Sequence, residues 1–266
     1  MIFRRFPFKD GLPLRFGGYF ISYLVFLLLI LLPGISLALS PAEIGPTFGI
    51  LQNSPVGEKI SLWAERFLGT PYDRDPLGIY VTRQVIVADD AVDCMYLTFR
   101  AVELALSRSA EEAIEVALDK QFYTRGIVRD GKVLNYDARF QYGEDMIRSG
   151  KWGKDITTRV GRTARIRGSR SYDFFEVLPP HEAARKQERL RTGDIFYFFK
   201  APEKRVVEEG VGHIGIVKAE GKDSEKKIFL IHAGGTKSAG GAVKKVLLAD
   251  YLGAMPFVGV KVTRFE

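Results

Sequence analysis

Apolar residues recur every three to four positions in three stretches of the chain, which predicts three helices. The first stretch covers residues 58–68 and stops at Gly69, a typical residue after a helix end. The second covers residues 93–107, and the third begins at Ser109, where Ser-Ala-Glu-Glu forms a capping box. The inward face of the first helix is predicted to consist of Ile60, Trp63, Ala64, Phe67 and Leu68.

Short apolar runs bounded by turn residues dominate the last third of the chain, and this pattern is typical of β-strands. It predicts strands at residues 195–199, 213–218, 228–233 and 258–265. The second and third of these flank a polar run, "AEGKDSEKK", which predicts a hairpin. Helices followed by strands indicate an α+β protein, with the helix at 93–107 packed on an antiparallel sheet.

Between these parts, residues 121–191 contain short segments interrupted by turns and carry a basic bias. From residue 148 to residue 191 there are 12 Lys or Arg against five Asp or Glu. One interpretation is a solvated excursion of strands and loops. The other is an electrostatic rim for an anionic wall polymer or a membrane surface. The chain shows no recognised nucleic-acid-binding motif, so we expect no nucleic-acid partner.

The first 38 residues have the pattern of an export signal. A basic leader precedes the uncharged run at 19–32, Pro33 and Gly34 interrupt that run, and small residues follow up to Ala38. The run is shorter than the roughly 20 residues of a spanning helix. We therefore predict a cleaved signal peptide over residues 1–38 and a periplasmic or extracellular protein. The alternative is a membrane anchor formed by residues 19–32.

Removal of the leader changes the charge more than it changes the size. The whole chain has a net charge of +7, whereas residues 39–266 contain 35 basic and 31 acidic residues, a balance of +4. The aromatic content of 12% argues against disorder. We predict an N-terminal extension at residues 39–57 and one folded domain at residues 58–266, with the basic region of residues 121–191 inserted in it.

The single cysteine, Cys94, cannot form an intramolecular disulfide. It is either a small buried hydrophobic residue or a reactive thiol. Its position in the first turn of a predicted helix favours the thiolate, because the positive end of the helix dipole faces it.

The chain has three histidines, and two of them lie on the predicted hairpin. Pairing the strands with a register sum of 445 places His213 opposite His232, so that one imidazole takes the thiol proton and the other orients it. His181 lies in the loop "LPPHEA" and is predicted at the surface. The residues show no recognised zinc spacing, and we expect neither a metal nor a cofactor.

These residues occur in a characteristic order: "GTPY", then "DC" at a helix start, "GDI", "GHIGIV" and "IHA". The order resembles the NlpC-type cell-wall cysteine peptidases, which have a papain-like fold. The longer resemblance, over residues 58–265, is to the N-acetylmuramoyl-L-alanine amidase-like proteins. It rests on "WAERFLGTPY", on Tyr136-x-x-Arg139-x-x-Tyr142, and on a long insertion after the cysteine.

The resemblance implies Cys94 as the nucleophile, His213 as the base and His232 as the polar third member. It also implies substrate-binding roles for Tyr72, near the nucleophile, and for Asp93, whose alternative role is a helix cap. Tyr136, Arg139 and Tyr142 are candidates for the cleft wall, or else belong to an ordinary strand. The chain departs from the family pattern at Met95, Tyr96 and Leu97, which are expected beside the bond to be cut, and at Ala138 and Gln141.

The function implied is an exported, monomeric cysteine amidase that cleaves the N-acetylmuramoyl-L-alanine bond of peptidoglycan or muropeptides through a thioester. One alternative is a γ-D-glutamyl endopeptidase of the same fold, which cuts within the stem peptide. The other is a non-catalytic cell-wall-binding module that uses the basic region.

Overall fold

The computed structural model of the chain describes residue 39 and residues 41–205, 208–222 and 225–266. These residues belong to the compact unit Leu37–Glu266. The predicted signal peptide at 1–38 and the alternative anchor at 19–32 lie outside the described residues. In the part that the structure describes, none of the helices combines the length and the hydrophobicity of a membrane span.

The helices follow the predicted order and include several that the pattern did not predict. Asp93 caps the helix that carries Cys94 by accepting a hydrogen bond from the backbone N–H of Tyr96 at 2.9 Å. Ser109 caps the next helix by accepting a hydrogen bond from the N–H of Glu112. The capping box predicts that the Glu112 carboxylate accepts in return from the N–H of Ser109, but it accepts from the N–H of Arg108 instead. The helices are α1 (Pro41–Leu51), α2 (Val56–Arg66), α3 (Ile79–Thr82), α4 (Cys94–Ala105), α5 (Ala110–Lys120), α6 (Gly143–Ser149), α7 (Thr157–Val160), α8 (Pro180–Arg185) and α9 (Leu248–Ala254).

Six strands form the central sheet, and all neighbours in it are antiparallel. Its strand order is β3-β10-β6-β7-β8-β9, and two small hairpins, β1-β2 and β4-β5, lie apart from it. The α+β class with an antiparallel sheet is therefore confirmed. The strands are β1 (Val128–Arg129), β2 (Lys132–Val133), β3 (Lys154–Asp155), β4 (Ala164–Arg167), β5 (Phe174–Val177), β6 (Ile195–Lys200), β7 (Val211–Glu220), β8 (Lys227–Thr236), β9 (Gly240–Leu247) and β10 (Phe257–Arg264).

The β7-β8 hairpin forms, but its predicted register is wrong by two residues. Ile216 pairs with Ile231 and Glu220 pairs with Lys227, so paired residues sum to 447 rather than 445. The connection runs from 221 to 226 and starts at Gly221, whose φ of +81° favours glycine. A slip of two residues leaves every side chain on its original face of the sheet. His213 and His232 thus remain on one face as diagonal neighbours, close enough for aromatic rings to touch.

Alternate residues of the central strands face two different cores, as the two-residue period of a strand requires. On β6, Ile195, Tyr197 and Phe199 face the helices α2 and α4, while Phe196 and Phe198 face α8 and α9. The first core also includes the fully buried residues Ile60, Trp63, Ala64 and Phe67 of the first predicted helical face, with Leu68 half-buried at its edge.

Helix α1 lies within the predicted N-terminal extension and contributes to the same core. Ile44 and Leu51 are buried, and the ring of Phe48 meets that of Trp63 edge-on at 5.1 Å. Residues 41–51 therefore stabilise the helix layer over the sheet. The predicted division between residues 57 and 58 stays a prediction.

The region 121–191 consists of short helices and hairpins, and several of its arginines are already paired. Arg170 forms an ion pair with Asp145 at 2.8 Å, and Arg185 forms one with Glu182. The positive charge of the region is thus partly neutralised within the protein. Whether it contacts an anionic polymer stays a prediction.

Candidate active site

Cys94 is the first residue of α4 and lies beside the sheet. Its side chain is half-buried, and the backbone N–H of Ile214 on β7 lies near enough to the sulfur to lower the pKa of the thiol, against the larger opposing effects of burial and Asp93. Because Ile214 follows His213, this contact brings the cysteine helix to the strand that carries the predicted base.

The two hairpin histidines contact each other directly. His213 Nε2 and His232 Nδ1 are 3.0 Å apart, and the ring planes are nearly perpendicular, at 86°. His232 is 5% exposed. With Nε2 of His213 engaged by His232, Nδ1 is the ring nitrogen of His213 outside this contact. The arrangement is compatible with the predicted roles of nucleophile, base and orienting group, which stay predictions.

The protonation of the site differs from the expectation based on the helix dipole. Burial, and then the neighbouring Asp93 carboxylate, raise the pKa of the Cys94 thiol to about 12. Burial, and then the charge of His232, lower the pKa of His213 to about 3. The pKa of His232 falls to about 4, through burial and the charge of Lys244. These shifts favour a neutral thiol and two neutral imidazoles at rest, in the opposite direction to the effect expected from the helix dipole, and the thiolate stays a prediction.

Three tyrosines lie within electrostatic range of the sulfur. Burial, and then the Cys94 charge, raise the pKa of Tyr72 and Tyr251, whereas at Tyr80 burial and the Asp93 carboxylate raise the pKa more than Cys94 does. The predicted position of Tyr72 near Cys94 agrees with this effect, and its role towards substrate stays a prediction.

Tyr251 was not predicted from the sequence. Its ring centroid lies 4.7 Å from that of His232 and 5.9 Å from that of His213. Tyr251 belongs to α9, a seven-residue helix without a recognisable local signal.

Asp93 has a structural task at the mouth of the site. One carboxylate oxygen caps α4, and the other lies 3.4 Å from Lys237 Nζ. The alternative role of Asp93 as a helix cap is thus present in the structure, and a contact with substrate stays a prediction. Lys237 is a second residue that the sequence analysis did not identify.

The three proposed residues of the cleft wall occupy different surroundings. The Tyr136 hydroxyl donates to the carbonyl of Val85, and the side chain is buried. The Arg139 guanidinium lies over the ring of Tyr80, 5.5 Å from its centroid, and so reaches the site through that tyrosine. Tyr142 is half-buried beneath the guanidinium of Arg170, at 3.7 Å. Tyr136 thus packs into the protein, while Arg139 and Tyr142 are half-buried, and the cleft-wall role of the three residues stays a prediction.

The residues after Cys94 point in different directions. Tyr96 and Leu97 are buried, and the Tyr96 hydroxyl donates to Asp89 at 2.8 Å. Asp89 also forms a two-pronged ion pair with Arg100, which is buried. The expectation that Tyr96 and Leu97 lie beside the bond to be cut is therefore wrong, because helical periodicity turns them into the core. Met95 alone of the three stays half-buried beside the thiol.

Two further features lie away from Cys94. His181 is exposed near the start of α8, as predicted. A cavity of about 560 Å³, lined by Phe48, Trp63 and Leu104, lies at the opposite end of α4. Among the described residues, no group of three or more His, Cys, Asp or Glu is arranged to hold a metal ion.

Comparisons with known proteins identify structural relatives at low sequence identity. No family model matches the chain, and no curated protein matches it. An N-acetylmuramoyl-L-alanine amidase from Bacteroides uniformis superposes with a TM-score of 0.58 at 20% identity, covering 79% of this chain and 98% of the other. A Legionella pneumophila protein assigned to DUF1460 gives 0.60 at 15% identity, with coverages of 83% and 92%. A putative xylanase from Bacteroides fragilis gives 0.57 at 19% identity, with coverages of 77% and 100%. These similarities show that the α+β fold is shared.

Proposed function

We propose that the protein is a cysteine amidase with a papain-like fold that cleaves the bond between N-acetylmuramic acid and L-alanine in peptidoglycan or muropeptides. The observation that carries the proposal is the contact of His213 with His232 at 3.0 Å, on the strand whose next residue, Ile214, lowers the pKa of the Cys94 thiol through its backbone N–H. Support also comes from the ordered motifs and from a fold shared with a protein named as such an amidase.

In the proposed reaction, proton transfer accompanies attack because the resting thiol is neutral. The Cys94 sulfur bonds to the carbonyl carbon while its proton passes to His213. His213 then gives that proton to the amine nitrogen as the C–N bond breaks, which leaves a thioester. Water attacks the thioester and gives a proton to His213, and this proton returns to the sulfur as the C–S bond breaks.

The start of α4 is a suitable place for the negative oxygen of the tetrahedral intermediate. The first N–H groups of a helix have no acceptor within it. Asp93 takes the N–H of Tyr96, which leaves the N–H groups of Cys94 and Met95 to donate to the oxyanion.

The test is digestion of defined muropeptides, with mass spectrometry of the products. Wild type is expected to release the intact peptide from its sugar, and Cys94→Ala and His213→Ala are expected to lose activity at least a thousandfold. His181→Ala is the matched control, since this exposed histidine lies outside the site. Retained activity in Cys94→Ala would contradict the mechanism.

The products also separate the other functions. Cleavage within the stem peptide would identify the γ-D-glutamyl endopeptidase. Binding of wall glycan that survives Cys94→Ala, without turnover by wild type, would identify the non-catalytic module. Export, by cleavage after Ala38 or with residues 19–32 as an anchor, and a monomeric state are parts of the proposal. Mass spectrometry of the mature N-terminus and light scattering test them.

A further inference from the structure

A single lysine stands at the mouth of the site, on the turn between β8 and β9. The turn is held in place, because the Thr236 hydroxyl accepts a hydrogen bond from the N–H of Ala239 at 3.0 Å, and Arg74 donates to the carbonyl of Ser238 at 2.8 Å. Lys237 therefore projects from a fixed backbone, directly after the strand that carries His232.

The ammonium group of Lys237 lies close to the nucleophile. Its nitrogen is 5.6 Å from the centroid of the Tyr72 ring and 3.4 Å from an Asp93 oxygen. Its charge also lowers the pKa of Cys94, against the larger effects of burial and Asp93. The side chain is 34% exposed, so it is accessible to a ligand.

The hydrogen-bonding capacity of this ammonium group is largely unused. A lysine has three N–H donors. Its contact with Asp93 is longer than the roughly 2.8 Å of a strong charge-assisted bond, and Asp93 is already held by the helix cap. In the described parts of the chain, Lys237 makes no other side-chain hydrogen bond or ion pair.

The charges around the sulfur explain why a cation is needed there. Asp93 and Glu209 both raise the pKa of Cys94, so two carboxylates act on the sulfur. Without Lys237 they would repel an anionic substrate from the thiol.

We propose that Lys237 binds a carboxylate of the substrate beside the bond that Cys94 attacks, so that the site selects substrates with an acidic group close to the scissile amide. For its substrate, the inference rests on the proposed amidase function, in which the D-glutamate of the stem peptide supplies that carboxylate. Arg74 contributes by holding the turn through the carbonyl of Ser238.

The first experiment needs no turnover. Cys94 is the only cysteine, so alkylation of the protein reports on this sulfur alone. Iodoacetate and iodoacetamide react in the same way and differ by one negative charge. At pH 9 we compare the rate constant for iodoacetate divided by the rate constant for iodoacetamide. This ratio is expected to fall about tenfold in Lys237→Met and to recover in Lys237→Arg. Lys227→Met, at an exposed lysine at the other end of β8, is expected to leave the ratio within twofold of wild type.

An unchanged ratio in Lys237→Met would overturn the inference, whatever reaction the protein catalyses. If that variant does not fold, the wild-type ratio is measured at 0.05 M and 1 M salt. A fall of several-fold in high salt supports the cation, and a constant ratio contradicts it.

The second experiment uses substrates. N-acetylmuramoyl-L-alanyl-D-glutamate is compared with the same compound in which both carboxylates of the D-glutamate are amidated. Wild type is expected to prefer the acid about tenfold in kcat/KM, and Lys237→Met is expected to lose this preference while it still cleaves the amide. A preference for the acid of the same size in wild type and in Lys237→Met would overturn the inference. Failure to cleave either compound contradicts the amidase function and leaves the alkylation result to decide on Lys237.

Discussion

The protonation state of Cys94 gives the most direct test of the site, because the chain contains no other cysteine. Burial and Asp93 raise the pKa of the thiol to about 12, and burial lowers the pKa of His213 to about 3, so both groups are expected to be neutral in the resting protein at neutral pH. We predict that the rate of alkylation by iodoacetamide rises about tenfold per pH unit from pH 6 to pH 10, without a plateau.

The size of the effect follows from the fraction of thiolate. An ordinary cysteine with a pKa near 8.5 is roughly one quarter thiolate at pH 8. A thiol with a pKa of about 12 has about one thiolate in ten thousand at that pH. At pH 8, Cys94 should therefore react on the order of a thousand times more slowly than free cysteine.

The assay is intact-mass spectrometry of the alkylated protein over time, at each pH. Asp93→Asn serves as the matched variant, because asparagine caps a helix as well as aspartate does but carries no charge. It should react at least about tenfold faster than wild type at pH 8. A rate that stays constant from pH 5 to pH 7 would refute the reasoning, since it would show a thiolate paired with an imidazolium.

Two of the other three predictions concern stability, and the third concerns Tyr251, whose ring lies against the two histidines. Burial raises the pKa of Glu103 to about 7, so its contribution to stability is complete below about pH 4.5 and is lost as the pH rises through 7. In wild type the free energy of unfolding, measured with urea at each pH, should therefore fall by about 3 kcal/mol over this pH range, and Glu103→Gln should remove that fall. The same pH dependence in the variant and in wild type would contradict this. Gly193 has a φ of +87°, and a Cβ there would lie 2.3 Å from the Cα of Gly57. Gly193→Ala should therefore cost more than about 3 kcal/mol, while Gly150→Ala, at φ +69° in open space, should cost about 1 kcal/mol by calorimetry. Tyr251→Leu should lower kcat on muropeptides about tenfold to a hundredfold through loss of the ring against the histidines, and Tyr251→Phe should restore most of it.

The amphipathic helices and the apolar strands were predictable, whereas elements that break the pattern were not. Helix α1 contains Pro46 and two glycines, which are poor helix formers, and it forms because Ile44 and Leu51 are buried. Strand β9 lies at the sheet edge, and its consecutive lysines at 244 and 245 obscure the alternation. Both elements depend on tertiary packing, for which local sequence has no signal.

The pairing of the histidines was predicted despite an incorrect register. An even slip kept His213 and His232 on one face, and the reach of two imidazole rings bridged the diagonal. Tyr251 and Lys237 were missed for a different reason. Lys237 lies on the turn after β8 and Tyr251 lies on α9, and neither that turn nor α9 was predicted from the sequence.

The pair Asp93-Cys94 shows how two local rules can oppose each other. A helix start favours an anion, and Asp93 takes that place as the cap. Its carboxylate then repels a second negative charge on the adjacent sulfur, so the residue that begins the helix also keeps the thiol protonated. Susceptibility to oxidation follows thiolate character. An unpaired cysteine in this position is thus protected at rest, and in the proposed mechanism it becomes a nucleophile only when a base takes its proton during attack on a bound carbonyl.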